Sequence, residues 1–112
     1  MHNKDYYIFL SMLETIDKIL RYTANYSNAD DFYNSERDYD ATMMNFVVIG
    51  ETIDKLTDEI KDTNPQIEWN KIYGLRNIIA HNYFGVNVDT IWQIIQKFIP
   101  KLKDDINKLI NK

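Results

Sequence analysis

A chain of 112 residues suffices for one domain built on one hydrophobic core. With 45% hydrophobic and 27% charged residues, no cysteine, and only 3 Gly and 2 Pro, its composition excludes a disordered chain, a disulfide scaffold, a thiol nucleophile and a turn-rich β-barrel. A net charge of −4 makes it a poor general nucleic-acid binder, because non-specific affinity comes from neutralising phosphates.

The acids are concentrated in residues 28–62 and the lysines in residues 96–112, so any contact with RNA must be local. No apolar run approaches the roughly 18 residues that span a bilayer. The start, Met1-His2-Asn3-Lys4-Asp5, lacks the features of a signal peptide. These features predict a soluble, cytoplasmic, all-α domain over residues 1–112.

Four helices are predicted in chain order. The first runs from about Lys4 to Ala24, with Asn3 as N-cap and Tyr6, Phe9, Leu13, Ile16 and Leu20 on one face. A polar stretch from Asn25 to Asn34 interrupts the pattern. Ser35-Glu36-Arg37-Asp38 then resembles a capping box that opens a second helix reaching about Ile60. Its stripe is Phe46, Ile49, Ile53, Leu56 and Ile60, and Met44, Val47 and Val48 widen the apolar face enough to make this helix central.

Asn64-Pro65 separates the second helix from a third, Glu68 to His81, which turns Trp69, Ile72, Leu75, Ile78 and Ile79 inward. Gly85 ends that helix or the turn after it. Asn87 or Asp89 caps the fourth helix, which runs to about Asn111 through Ile91, Ile95, Phe98, Leu102, Ile106 and Leu109. Pro100 should kink or split it. Short connections between long amphipathic helices predict an up-and-down bundle of four main helices.

Glycine-rich phosphate loops, nucleophile elbows and metal-spaced histidine pairs are all absent from the sequence, so neither a metal nor a cofactor is expected. The segment Gly74-Leu75-Arg76-Asn77-Ile78-Ile79-Ala80-His81-Asn82-Tyr83 is different: it interleaves an arginine, an asparagine, a histidine and a tyrosine with core residues. Asn77 and His81 are i, i+4 neighbours, and Arg76 and Tyr83, seven apart, share a face. A neutral imidazole can take a proton from a ribose 2′-hydroxyl or give one to a leaving 5′-oxygen. A guanidinium can hold the phosphate and stabilise charge growing on it. Arg76 and His81 are therefore a sufficient set for metal-independent RNA cleavage to a 2′,3′-cyclic phosphate, with Asn77 orienting His81 or the phosphate. By spacing alone they read equally as a helix-terminal histidine on the last carbonyls of the third helix and a surface ion pair of Arg76.

Glu51 lies on the shoulder of an apolar stripe, where it could orient Arg76 or His81 or form an interhelical pair. Trp69 and Trp92 read as core anchors, and the tyrosines other than Tyr83 as core-edge and interface residues. His2 reads as disordered, which leaves His81 the one candidate catalytic histidine.

The same string resembles the Arg-x4-6-His signature of the HEPN superfamily, and in particular its HepT-like branch, which extends the signature to Arg-x4-His-x-Tyr. Arg76, the polar Asn77, His81 and Tyr83 match it position by position. Ile67-Glu68-Trp69, Gly74-Leu75, Phe84, Ile91-Trp92 and Ile49-Gly50-Glu51 agree with the surroundings. Glu68 departs from the pattern, where many relatives carry proline, and bears on the start of the third helix. The resemblance implies a HEPN-like helical bundle that forms homodimers, with the two signature strips meeting in a cleft. It also implies a metal-independent ribonuclease toxin of a type VII-like toxin–antitoxin pair. The partner would be an MNT-type nucleotidyltransferase antitoxin that transfers AMP to Tyr83. Neither DNA nor a membrane is expected as a partner. The competing reading is a non-catalytic HEPN module that docks a nucleotidyltransferase or binds a nucleotide.

Overall fold

Apolar residues recur at helical spacing with few breakers between them, and the chain is helical almost throughout. A computed structural model describes residues 1–112. Its main helices are α1 (Asn3–Thr23), α3 (Glu36–Ile53), α5 (Trp69–His81), and α6 (Val88–Gln93), which continues through a π turn (Ile94–Phe98) into α7 (Ile99–Ile110). Two short helices, α2 (Ala29–Asn34) and α4 (Asp58–Asp62), fill the connections. Helix α3 packs on both α1 and α5, and α7 on α1, giving the up-and-down bundle with the second long helix at its centre. The molecule measures 41 × 27 × 20 Å. No helix is long and apolar enough to cross a membrane.

Several expectations are corrected in their details. On α1 the core face is Phe9, Met12, Ile16 and Ile19, all fully buried, while Tyr6 is exposed and Leu13 and Leu20 are half-buried. The rotation has a polar cause. Asp5 is completely buried, and its carboxylate accepts the Thr57 backbone N–H at 2.9 Å and the Thr57 hydroxyl at 2.6 Å. Turning Asp5 inward turns Tyr6 out. Asp5→Ala would leave both Thr57 donors without this acceptor, and a loss of about 1–3 kcal/mol is expected in urea unfolding.

The same threonine breaks the second helix. Thr57 Oγ1 accepts the Ile60 N–H at 3.3 Å, which caps α4, so α3 stops at Ile53 instead of running on to Ile60. Inside the polar stretch, Asn28 accepts the Asp31 N–H at 2.8 Å and starts α2. That helix, six residues long, is too short to show a period. Its Phe32 is fully buried among the rings of Tyr26, Tyr39 and Trp92.

The capping box at Ser35 does not form. The Tyr26 hydroxyl is hydrogen-bonded to both Ser35 Oγ and the Asp38 carboxylate, which occupies the two side chains the box would need. Asn3 is the first helical residue, and His2 stands at the cap position. The His2 ring is not disordered: Nε2 lies 3.0 Å from Glu59 Oε2.

The last helix is capped by Asn87, whose side chain accepts the Thr90 N–H at 3.0 Å. Pro100 enters α7 in its first turn, and the Ile99 N–H bonds to the Ile94 carbonyl five residues back. The expected break at Pro100 thus takes the form of a π turn, which absorbs the missing donor without interrupting the helix.

Candidate active site

Arg76 sits where α5 packs directly against Gly50 of α3. Gly50 makes the crossing possible, since a β-carbon there would come within 2.7 Å of Arg76 Cγ and closer still to Arg76 Cβ. One residue on, Glu51 reaches across: its Oε1 accepts Arg76 Nε–H at 2.9 Å and forms an ion pair with Nη2. Arg76 Nη1 donates to Asn77 Oδ1 at 2.7 Å. Asn77 therefore steadies the guanidinium. It does not bond to His81, as one of its expected roles required.

The Glu51 hydrogen bond strengthens the charged form of Arg76 and pushes its pKa upward. Three of the five guanidinium N–H donors are engaged in this way, which leaves two for an incoming anion. The side chain retains 23% of its exposure, so it is partly open to solvent.

His81 is the last residue of α5 and is exposed, with no side-chain hydrogen bond. It is five residues from Arg76, about 140° around the helix. The two groups share a helix but do not converge on one point within the chain. Asn82 then leaves helical geometry at φ −149°, ψ 55°.

Beyond that break, Tyr83 lies in a 3-10 turn (Tyr83–Gly85), not on α5. Extending the α5 wheel to residue 83, which put Tyr83 on the face of Arg76, is thereby overturned. The Tyr83 hydroxyl donates to the Asp40 carboxylate, on α3. Its ring is half-buried and packs edge-on against Tyr39, with centroids 6.0 Å apart. Burial first, and then the hydrogen bond to Asp40, push its pKa above the ordinary tyrosine range.

Asp40, Met44, Val47 and Glu51 follow one another at i, i+4, i+7 and i+11 on α3. Tyr83 bonds near the start of this row and Arg76 near its end, so α5 runs antiparallel to α3. The two contact points are about 16 Å apart along α3. Tyr83 opens onto a cleft of about 1140 Å³ with an acidic and aromatic lining that includes Asp30, Tyr33, Glu36, Asp40 and Phe84. Met44 of this row is exposed, as are the apolar side chains of Val48 on α3, Ile78 on α5 and Phe84 in the turn after it. Met44, Val48 and Ile78 were expected to face the core and instead face outward.

Sequence reasoning missed Asp40 altogether. No spacing rule ties it to a tyrosine 43 positions away. The role of Gly50 was open to inference, because a glycine inside a long helix costs about 1 kcal/mol relative to alanine and calls for a packing reason.

Residues 12–109 match the family model described as Ribonuclease HepT-like. The chain is 36% identical over 108 residues to "Gamma-glutamylcyclotransferase and putative RNase MJ0434" of Methanocaldococcus jannaschii, covering 96% of this chain and 48% of that protein. It therefore spans about half the length of that relative. It is 32% identical over 111 residues to "Putative RNase MJ1216" of the same organism, covering 98% of this chain and 91% of that protein. With "Probable ribonuclease HepT" of Thermococcus cleftensis it shares 29% identity over 107 residues, covering 96% and 94% of the two chains. No solved structure matches the chain significantly. From the extent of the family match and the identity to these relatives, the chain belongs to the Ribonuclease HepT-like family.

Proposed function

We propose that the chain is a metal-independent endoribonuclease, the cytoplasmic toxin of a type VII-like toxin–antitoxin pair. The observation that carries this reading is the state of Arg76: oriented by Glu51 and Asn77, charged, with two N–H donors not engaged within the chain, and partly exposed on the helix that ends in the exposed His81. His81 takes the proton of the ribose 2′-hydroxyl and returns one to the 5′-oxygen, while Arg76 stabilises the phosphorane oxygens. Purified protein incubated with RNA in EDTA should yield 2′,3′-cyclic phosphate ends. Cleavage that disappears in EDTA and returns with Mg²⁺ would overturn the mechanism.

Because Arg76 and His81 diverge on one helix, the working site takes Arg76 from one protomer and His81 from the other. The exposed Met44, Val48, Ile78 and Phe84 supply the apolar surface for such a homodimer. Light scattering should give about twice the 13.4 kDa chain mass, and Ile78→Asp should shift the protein toward monomer and lower cleavage.

The proposed regulation is transfer of AMP to Tyr83 by an MNT-type nucleotidyltransferase antitoxin. The modified side chain loses its proton donor to Asp40 and gains an anion, so Asp40 repels it. Arg76 lies about 16 Å away at the far end of the same row, farther than a Debye length. The bulky anionic AMP therefore acts by obstructing and repelling an incoming RNA backbone and not by pairing with Arg76. Tyr83→Phe should cleave RNA within a few-fold of wild type, since the phenol is not the proton shuttle, and should gain no AMP when co-expressed with the transferase. Mass mapping of the modified peptide checks both proteins.

The non-catalytic reading, a module that docks a nucleotidyltransferase or holds a nucleotide, draws on the acidic lining of the cleft beside Tyr83. It predicts that His81→Ala changes nothing measurable on RNA.

A further inference from the structure

We propose that Asp40 is the proton acceptor that makes the Tyr83 hydroxyl a nucleophile for nucleotidyl transfer, an inference that rests on Tyr83 being the modified residue. A neutral phenol attacks phosphorus poorly, and its oxygen becomes nucleophilic only as the proton leaves. Tyr83 already donates that proton to the Asp40 carboxylate. Burial and the adjacent carboxylate disfavour free phenolate at this site, so the proton must depart during the attack and not before it.

The step balances without a further reagent. Tyr83 Oη bonds to the α-phosphorus of a nucleoside triphosphate held by the partner transferase, and the bond from that phosphorus to the pyrophosphate oxygen breaks. The phenolic proton passes to Asp40, which is exposed and can release it to water. As the oxygen–phosphorus bond forms, the phenolic proton becomes far more acidic, and a carboxylate becomes a competent acceptor.

The surroundings favour Asp40 over other groups. The titratable side chains that line the cleft around it are Asp30 and Tyr33 of α2, Glu36 and Tyr39 of α3, and Asp89 of α6, with no lysine, arginine or histidine among them. Of the three tyrosines in the cleft, Tyr83 alone donates to a carboxylate. Tyr33 is exposed without such a partner, and Tyr39 is buried. This difference gives a physical basis for selection of one phenol out of three. With no cation in the lining, the charge of the triphosphate is left to groups on the transferase.

The test compares wild type, Asp40→Asn and Asp40→Glu in single-turnover AMP transfer with the partner transferase and ATP, read by mass spectrometry from about pH 6.5 to 9. Circular dichroism monitors the fold. Asparagine keeps an acceptor oxygen for the Tyr83 hydroxyl but cannot take its proton. If Asp40 accepts the proton, Asp40→Asn should slow transfer by about 10²- to 10⁴-fold near pH 7, and Asp40→Glu should restore much of the rate. The variant-to-wild-type ratio cancels the titrations of the transferase itself. That ratio should climb toward one as the pH rises, because hydroxide takes over the missing function. Transfer by Asp40→Asn within a few-fold of wild type at every pH, with AMP on Tyr83, would overturn the role of Asp40 alone. Wild-type protein that gains no AMP on Tyr83 would overturn the underlying reading together with the inference.

Discussion

His81→Ala is expected to lower RNA cleavage by about 10²- to 10⁴-fold, the usual contribution of a positioned acid–base group. The loss should appear in kcat, because imidazole acts on protons in flight and contributes little to holding RNA. His81 is exposed at the end of α5 and has no side-chain hydrogen bond, so its removal disturbs no packing. The circular dichroism spectrum and melting temperature should stay within error of wild type. Arg76→Ala should cost at least as much, since it removes charge stabilisation of the transition state. Arg76→Lys should not rescue it: an ammonium cannot donate to both Glu51 and Asn77 and still present a fork to phosphate. The double variant should fall little below either single one, as expected for groups that act as a unit. Full cleavage by His81→Ala, measured with a labelled RNA, would remove histidine from the mechanism.

The long helices could be read from sequence because their apolar residues repeat over several turns. The existence of α3 and of the last helix is legible for this reason, as are the bounds of α5 almost to the residue, although α3 ends seven residues short of the expected Ile60. What failed was local and polar. Asp5 rotates α1 and Tyr26 takes Ser35 and Asp38 out of their expected box through hydrogen bonds between residues well apart in sequence. Thr57 divides α3 from α4 by a local cap on Ile60 and is itself held by Asp5. Spacing rules register neighbours on one helix and are blind to such contacts.

The site divides in the same way. Arg76, Asn77 and His81 were identifiable because one helix carries them, and Glu51 because a carboxylate on an apolar shoulder is unusual. For Tyr83 the angular reading places the wrong neighbour beside the hydroxyl. The helix ends at His81, so its hydroxyl meets Asp40 and not Arg76. An angular argument holds only as far as the helix does.

Gly50→Ala is expected to reduce cleavage by about 10²-fold while leaving the protein folded. The added methyl would lie 2.7 Å from Arg76 Cγ and nearer to Arg76 Cβ, an atom fixed to the α5 backbone that no rotamer change can move aside. Carbon atoms settle at about 3.5–4.0 Å, so α5 must move away from α3 by roughly 1 Å. Overpacking of this kind costs about 1–3 kcal/mol, which a four-helix core of this size can bear. The catalytic cost is larger in proportion, because a displacement of about 1 Å in a group that must meet a transition state can lose a factor of 10². Glu51, one residue along α3, would be drawn out of register with Arg76 at the same time. Gly74→Ala is the matched control. It lies within the same helix as Arg76, and a β-carbon there meets nothing within 4 Å. It should stabilise the fold by about 0.4–1 kcal/mol, as glycine-to-alanine changes do where the backbone accepts them, and leave cleavage unchanged. Equal cleavage by the two variants would show that the α3–α5 distance at Arg76 does not govern the reaction.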